Sequence, residues 1–291
     1  MDIKIIKGLV LLTVIVILSL GFVSVKPDYP RIGIVTGLKQ DSIAYAAGFR
    51  SIGESVRKMI SPSLSERELR TNLKDIKSAK CKVLMCNLFF PGSIKIAGPA
   101  VNERQVLGYV DSVLTMARKA GVKYIVLGSS GSRNIPENYD LDKAKDDFVA
   151  LCKKMGQVAA KHKVTILLEN LQKSETNFLT SLNAAADIVR RVNEPYFRLN
   201  ADIFHMMREG ESPGEIIAAG DLISFCEIAE KEKRSLPGVA GDDFRPYLRA
   251  LKQIGYRGFI FIEGNTNDPG RDIPISFKYL TNQIFEVYSL T

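Results

Sequence analysis

Short apolar runs alternate with amphipathic stretches from about residue 31 to residue 265. Eight runs have the length and the Val, Ile and Leu content of buried parallel strands, and helical periods separate them. The predicted strands are 31–36, 49–56, 81–89, 123–128, 164–171, 197–202, 223–229 and 258–264. The clearest predicted helices are 65–77, 101–119, 143–162, 180–193 and 244–253. Eight such units in about 260 residues predict a (β/α)8 TIM barrel rather than an open doubly wound sheet.

A different pattern precedes the first predicted strand. Lys4 and Lys7 are followed by residues 8–25, "GLVLLTVIVILSLGFVSV", which carry no charge. Lysines ahead of such an apolar run predict a signal peptide or an uncleaved membrane anchor, with a buried core helix as the alternative. With the lysines held inside, the rest of the chain is exported, either periplasmic or anchored and facing outward. We assign residues 1–27 to this leader and residues 28–291 to a single barrel domain.

Several predicted strands end in an acidic residue. These residues are Glu54, Glu169, Asp202, Glu227 and Glu263. In a barrel of this type the carboxyl ends of the strands converge on one mouth, where catalytic groups lie. One such acid is usually a helix cap or a turn residue, but five at corresponding places predict a functional pocket. Glu227 stands out because a carboxylate inside an apolar strand is costly unless it is paired, protonated or bound to metal.

Charge and cysteine content narrow the function. The formal charge of +8 comes from 40 Lys and Arg against 32 Asp and Glu, without a long basic block. We interpret it as a solvated basic surface, with a nucleic-acid or anionic-membrane surface as the alternative. The four cysteines have no CxxC spacing, and the sequence has only two histidines, His162 and His205. These residues exclude a structural zinc site. We expect buried thiols, with Cys81 and Cys86 on opposite faces of the third strand.

Five segments carry a family resemblance. In chain order they are "GSSGSRNIPEN", "ILLENLQKSETNFLTS", "LNADIFHM", "EIAEKEKRSLPG" and "FRPYLRALKQIGYRGFIFIEG". Each is loose alone, but in their order and spacing the chain resembles the sugar phosphate isomerase/epimerase family of xylose isomerase-like TIM barrels, and it is similar to ketose 3-epimerases. The resemblance runs from about residue 31 to residue 265, and no nucleotide cofactor is expected from it.

The resemblance implies a metal site. Such enzymes hold a divalent ion with Glu, Asp, His and Glu from strands five to eight, and Glu169, Asp202 and Glu263 match three of these ligands. The third family ligand belongs to an H-x-H motif, where this sequence has "FCE" and places Glu227 at the ligand position. An all-oxygen set favours Mg²⁺ or Mn²⁺, and also Ca²⁺, over Zn²⁺.

A metal-free pocket is the alternative. Four carboxylates in one cavity repel one another, so without a cation at least one should bind a proton at neutral pH. In that case Glu227 would pair with Lys231, Lys233 or Arg234.

The resemblance also implies substrate contacts. Glu175 and His205 match residues that bind substrate hydroxyls in the epimerases, although His205 also fits a hydrogen-bonded core histidine. Arg234 falls close to a substrate-binding arginine, with Lys233 as the other candidate, and Glu54 matches an acid that lines the same pocket. Arg133, in the Gly/Ser loop "GSSGSRN", is either a contact to a carboxylate or phosphate or an ordinary loop arginine.

The reaction that the resemblance implies is proton transfer next to a carbonyl, through an enediolate. Glu169 and Glu263 are the expected acid and base. Export favours a free sugar or keto-sugar as substrate, with elimination from a 3-keto-glycoside as the closest alternative and a non-catalytic sugar-binding barrel as another. A DNA-repair nuclease of this fold would need a histidine-rich metal cluster, which two histidines cannot supply. We therefore expect no nucleic-acid partner and a membrane contact only through the leader. A homo-oligomer is possible.

Overall fold

The computed structural model describes residues 29–289, which form a closed barrel of eight parallel strands in sequence order. The strands are β1 (Arg31–Val35), β2 (Ser51–Ser55), β3 (Lys82–Asn87), β4 (Tyr124–Leu127), β5 (Thr165–Glu169), β6 (Phe197–Asp202), β7 (Ile223–Ile228) and β8 (Phe259–Ile262). Pairing of β8 with β1 closes the barrel. The predicted (β/α)8 barrel is confirmed. Most of the observed strands begin later or end earlier than the predicted ranges.

Helices connect the strands around the outside of the barrel. They are α1 (Asp41–Ala47), α2 (Val56–Met59), α3 (Glu66–Ser78), α4 (Glu103–Ala120), α5 (Ser130–Arg133), α6 (Leu141–His162), α7 (Leu182–Val192), α8 (Ile203–Glu209), α9 (Gly214–Ala219), α10 (Arg245–Gln253) and α11 (Pro269–Ser289). Local sequence sets their ends. Ser65 and Glu68 form a reciprocal capping box at the start of α3, and the Asn102 side chain caps α4.

The apolar core has two parts. An outer cluster lies between strands and helices, and an inner cluster fills the barrel with large side chains such as Met85, Phe225 and Phe261. Gly33 is part of this packing, because a Cβ atom at this position would overlap the ring of Phe261. The inner cluster closes the barrel below the mouth, so that polar chemistry is confined to the carboxyl ends of the strands.

A register shift corrects the expectation for the cysteines. Between β2 and β3 the pairing moves from Ile52 with Val83 to Gly53 with Met85. The extra residue in β3 breaks the simple alternation of faces, as a β-bulge does. Cys81 and Cys86 therefore both lie in the outer cluster, and the prediction that they face opposite sides is wrong. All four cysteines are free and buried, as expected.

The leader lies outside the described residues. Between residues 29 and 289, no helix combines the length and the apolar character needed to cross a membrane.

Candidate active site

Four carboxylates meet at the mouth of the barrel. Glu169 and Asp202 are the last residues of β5 and β6, Glu227 lies one residue before the end of β7, and Glu263 follows β8 directly. One oxygen of each carboxylate lies within 4.8 Å of the corresponding oxygens of the other three. The structure thus brings together the four residues that the sequence suggested as metal ligands.

Strand alternation explains how Glu227 enters this group. Phe225 belongs to the inner cluster and Cys226 to the outer cluster, so the next residue of β7 points into the barrel again. Glu227 is fully buried, and Asn200 of β6 donates a hydrogen bond from Nδ2 to its Oε2. Its Oε1 has no hydrogen-bond partner in the described part of the protein.

Burial and mutual repulsion disfavour the ionised forms of these acids. Burial raises the pKa of Glu169 to about 7, and the neighbouring charges of Asp202 and Glu263 add to the effect. Burial also raises the pKa of Glu227 well above its usual range, with contributions from the same cluster. The pKa of Glu263 is raised by burial as well, although the Arg234 cation opposes the shift. The cluster therefore favours binding either protons or a cation.

His205 lies next to two of the acids. Its Nε2 is 3.4 Å from Oδ2 of Asp202 and 3.6 Å from Oε1 of Glu169, and the side chain is almost fully buried. Burial lowers the pKa of His205, but the carboxylates of Asp202 and Glu169 outweigh burial and raise it to about 9. Asp202 also caps α8, because its Oδ1 accepts hydrogen bonds from the amides of Phe204 and His205. One carboxylate thus serves as helix cap and as pocket residue.

Arg234 is the cation nearest to the cluster. Its guanidinium forms ion pairs with Glu263 and Asp202 and lies 4.7 Å from the ring centroid of Phe204. Lys233, the other candidate from sequence, pairs with exposed Glu232 instead. Both Lys233 and Arg234 have a left-handed backbone, with φ of 55° and 52°. Non-glycine residues adopt this conformation at a cost of about 1–3 kcal/mol each, which surrounding contacts must offset.

The alternative pairing of Glu227 is not found. Between residues 29 and 289, no hydrogen bond or ion pair joins Glu227 to Lys231, Lys233 or Arg234. The Arg234 guanidinium neutralises the Asp202 and Glu263 side of the cluster and leaves the Glu227 side without a cation.

Glu230 is a buried acid that the sequence did not single out. Its carboxylate accepts hydrogen bonds from the hydroxyl of Ser235 and from the amides of Gly238, Ala240, Gly241 and Asp242. These contacts fold the loop that presents Arg234. An acid ahead of a glycine-containing loop was the only sequence signal, and it is too common to identify such a residue.

Two asparagines were also missed. Asn87, the last residue of β3, donates a hydrogen bond from Nδ2 to Oε1 of Glu263, and Asn200 donates to Glu227 as described. Asn87 ends its strand as the acids end theirs, which is a signal that could have revealed it. Asn200 lies two residues before the end of β6, where no sequence pattern marks it.

Glu54 lies beside the carboxylate cluster and not within it. It lines a cavity of about 510 Å³ together with Asn87 and Leu88. The amide of Ser55 donates to Oε1 of Glu54 at 2.9 Å, and Nζ of Lys58 lies 3.8 Å from the same oxygen. Because Asn87 bonds to Glu263, this cavity adjoins the four acids.

Two other expected substrate contacts lie apart from the cluster. Oε1 of half-buried Glu175 accepts a hydrogen bond of 2.7 Å from Gln172. Arg133 is fully buried, with its guanidinium donating to the main-chain carbonyls of Leu127 and Glu169. Burial lowers the pKa of Arg133 to about 10. Its position ties the ends of β4 and β5 together and leaves no guanidinium surface for a ligand.

The donor set fits a hard divalent cation. Four carboxylate oxygens lie close enough to share one ion, and the buried Oε1 of Glu227 has no hydrogen-bond partner among the described residues. All four donors are oxygen, which suits Mg²⁺ or Mn²⁺. Glu169, Asp202 and His205 form a second, overlapping set of potential ligands.

A family model and a relative of known activity match the chain. A family model described as xylose isomerase-like TIM barrel matches residues 42–283. The L-ribulose 3-epimerase of Methylomonas sp. (strain DH-1) is 30% identical over 149 residues, which cover 51% of this chain and 50% of that protein. The match therefore spans about half the length of that relative.

Solved structures share the fold at lower identity. A structure of L-ribulose 3-epimerase superposes with a TM-score of 0.75 at 18% identity, covering 89% of this chain and 96% of the other. The 3-keto-D-glucoside 4-epimerase from E. coli gives a TM-score of 0.73 at 18% identity, covering 87% of this chain and 99% of the other. At this identity the likeness establishes a common fold.

Proposed function

The chain belongs to the family of xylose isomerase-like TIM barrels, and from that premise we propose that it is a sugar epimerase or isomerase acting by proton transfer at a carbon next to a carbonyl. The observation that carries this proposal is the convergence of four carboxylates at the mouth of the barrel, three of them buried and that of Glu263 partly exposed. A barrel that only binds sugars would not need several acids that repel one another and that are costly to bury.

Glu169 and Glu263 are the proposed acid and base. They come from β5 and β8, three places apart in a ring of eight strands, and so reach the pocket from different sides. One carboxylate, ionised, takes the proton from carbon, and the C–H electron pair stays on the substrate as an enediolate. The other, protonated, then gives its proton to the opposite face of that carbon or to the neighbouring carbon. Without a bound ion, the pKa of Glu169 is raised to about 7, which suits a group that must both hold and release a proton.

Neighbouring residues hold the substrate and the acids in place. The Nε2 atom of His205 and the guanidinium of Arg234 are donors at the edge of the cluster, where substrate oxygens would lie. Asn87 fixes the carboxylate of Glu263, and Asn200 fixes that of Glu227. Because these hydrogen bonds already restrict the two carboxylates, the acids lose less conformational freedom when substrate binds.

A divalent ion fits the same site. Glu169, Asp202, Glu227 and Glu263 would hold it, and when bound it would stabilise negative charge on the substrate oxygens. We infer Mg²⁺ or Mn²⁺ from the all-oxygen donor set.

Export is the other part of the proposal. Lys4, Lys7 and the uncharged residues 8–25 support translocation of the barrel, with this segment either removed as a signal peptide or kept as an anchor. An exported enzyme would meet free sugars or keto-sugars rather than phosphorylated metabolites.

A panel of ketoses and 3-keto-glycosides tests the function. Purified protein with Mg²⁺ or Mn²⁺ should convert at least one sugar to an epimer or isomer that chromatography separates. Glu169→Gln and Glu263→Gln should each lower kcat by at least about 10²-fold, because each removes a proton-transfer group. Glu137→Gln, at an exposed position outside the carboxylate cluster, is the matched control.

The same panel distinguishes the rival functions. Release of an aglycone with an unsaturated sugar would indicate an eliminase. Saturable sugar binding without conversion would indicate a non-catalytic barrel, and no binding of any sugar would contradict the proposal.

A further inference from the structure

Basic residues gather at the end of the barrel opposite the carboxylates. Seven of the eight strands begin within two residues of a Lys or Arg, the exception being β7. These residues form the strand-start ring: Arg31, Arg50, Lys82, Lys123, Lys163, Arg198 and Arg257. The first five are exposed and the last two are half-buried. Part of the basic charge that is scattered along the sequence is therefore gathered around the strand starts.

The carboxyl ends of β5 to β8 and the starts of the strands carry opposite charge. The carboxyl ends of β5 to β8 carry Glu169, Asp202, Glu227 and Glu263, whereas the strand starts carry the basic ring. Strands of this length separate the two groups by about 15–20 Å, which exceeds the Debye length at physiological salt. The basic end therefore presents its own positive field to a partner.

An apolar cavity opens at the same end. Its volume is about 520 Å³, and its lining includes Ile32, Phe259, Phe277, Tyr29 and Phe285. Tyr29 is 51% exposed and Phe285 66% exposed. Arg31 of the strand-start ring stacks on Phe259, with Cζ 3.9 Å from the ring centroid. Exposed aromatic groups beside cations are the composition of surfaces that sit at a membrane–water interface.

The chain reaches this end from its apolar N-terminal segment. Tyr29 is the first described residue and lines the cavity, and only residues 26–28 separate it from Val25, the end of the uncharged run. Four residue steps of extended chain span about 14 Å at most. If residues 8–25 lie in a bilayer, the strand-start end must lie next to that bilayer, with the catalytic mouth on the far side.

We propose that the strand-start end of the barrel docks on an anionic lipid membrane, with the ring contacting headgroups and Tyr29 and Phe285 entering the interface. This inference rests on the part of the proposed function in which residues 8–25 are kept as an anchor. It extends the membrane contact beyond the leader and orients the mouth away from the lipid. A nucleic acid would also be attracted by the ring, but it would gain nothing from the adjoining apolar segment.

The absence of Trp from the sequence permits a direct test. Full-length Phe285→Trp and, as a mouth-side reporter, full-length Leu88→Trp are reconstituted separately into vesicles of brominated phosphatidylglycerol and phosphatidylcholine. Lipid contact is read as bromine quenching of the single Trp. We expect strong quenching at position 285 and little at position 88. Tyr29→Trp is a second reporter of the same end, in case the change at position 285 prevents folding.

Charge reversal tests the role of the ring. In the Phe285→Trp protein, Lys82→Glu with Lys123→Glu should remove about half or more of the quenching, since each basic residue near the surface adds to lipid attraction. Arg67→Glu with Arg104→Glu is the matched control, because these exposed residues lie in the first turns of α3 and α4, at the mouth end. Quenching should also weaken in pure phosphatidylcholine and at high salt.

Three outcomes would overturn the inference. If the protein floats with the vesicles but position 285 is quenched no more than position 88, residues 8–25 act as an anchor but the strand-start end does not dock on the membrane. If the protein does not float with the vesicles, both fail, while sugar turnover remains testable in solution. If Lys82→Glu with Lys123→Glu abolishes binding of duplex DNA without changing the quenching, the ring serves nucleic acid instead.

Discussion

The position of the Glu169 carboxylate depends on a glycine in the neighbouring strand connection. Gly128 directly follows β4, and a Cβ atom there would overlap Oε2 of Glu169. Gly128→Ala should therefore displace the carboxylate and lower kcat by about 10²-fold, the usual effect of a misplacement near 1 Å. Steady-state kinetics of the variant would measure this effect.

A second glycine supplies the control for this change. Gly108 lies within α4, and a Cβ atom there would have no neighbour within 4 Å. Gly108→Ala should leave kcat unchanged and stabilise the protein by about 1 kcal/mol through helix propensity. Equal activity of Gly128→Ala and Gly108→Ala would show that the close approach of Gly128 to Glu169 has no catalytic importance.

Glu227 should have opposite effects on stability with and without metal. Because burial raises its pKa, the fold disfavours its ionised form, and the same holds for Glu169. The free energy of unfolding of metal-free protein should thus fall as the pH rises above 4.5, the ordinary pKa of a glutamate. The contribution of Glu169 to this fall should end near pH 7, because its pKa in the folded protein is about 7. In EDTA at pH 7, Glu227→Gln should raise the free energy of unfolding by about 1–3 kcal/mol, since Gln can still accept the Asn200 hydrogen bond.

Adding a divalent ion should reverse this order. Glu227→Gln should bind Mg²⁺ or Mn²⁺ at least about tenfold more weakly than wild type, since a charged donor to a hard cation is lost. Thermal unfolding in EDTA and with each ion added back would measure both effects. A wild-type Tm that is the same with EDTA and with either ion would rule out the metal site.

At the scale of elements, the loop from β7 to α10 depends on Glu230. Its carboxylate accepts five hydrogen bonds within the loop, and that loop carries Arg234. Glu230→Gln keeps the shape of the side chain but removes its negative charge. It also replaces one carboxylate oxygen, which accepts hydrogen bonds, with an NH₂ group, which donates them. We expect a loss of about 2 kcal/mol in the free energy of unfolding and faster amide exchange at Gly238 and Gly241.

A catalytic readout separates loop order from general stability. Misplacing Arg234 should raise KM more than it lowers kcat, because we propose that the guanidinium binds substrate oxygens. Glu232→Gln changes an exposed acid of the same loop and is the matched control. Unchanged amide exchange in Glu230→Gln would contradict the role of Glu230.

The sequence predicts elements better than the contacts between them. Apolar runs and helical periods identified the eight strands, and acids at strand ends identified the mouth, because both signals are local and repeat along the chain. The bulge in β3 left no such signal, so Cys86 was assigned to the wrong face relative to Cys81. Arg133 was suggested as a ligand contact because it lies in a Gly/Ser loop. Its burial against two carbonyls depends on how β4 and β5 are placed side by side.

At the scale of the whole molecule, export depends on the two N-terminal lysines. A C-terminal alkaline phosphatase fusion, which is active only after export, should be active in a bacterial host. Lys4→Glu with Lys7→Glu should lower that activity severalfold, because the positive charge that holds the N-terminus inside is lost. Lys39→Glu with Lys95→Glu, changed outside the leader, should leave it unaffected. An inactive wild-type fusion, with full-length protein in the cytosol, would contradict export.

Proton transfer to and from carbon is the central claim of this account. The most direct measurement is incorporation of deuterium from D₂O into a ketose that the protein accepts, followed by NMR at the carbons next to the carbonyl. Wild-type protein should exchange a single C–H position, and Glu169→Gln should slow this exchange by at least about 10²-fold. Conversion of the sugar without any incorporation of solvent deuterium, or equal exchange by Glu169→Gln, would contradict the proposed role of the carboxylates.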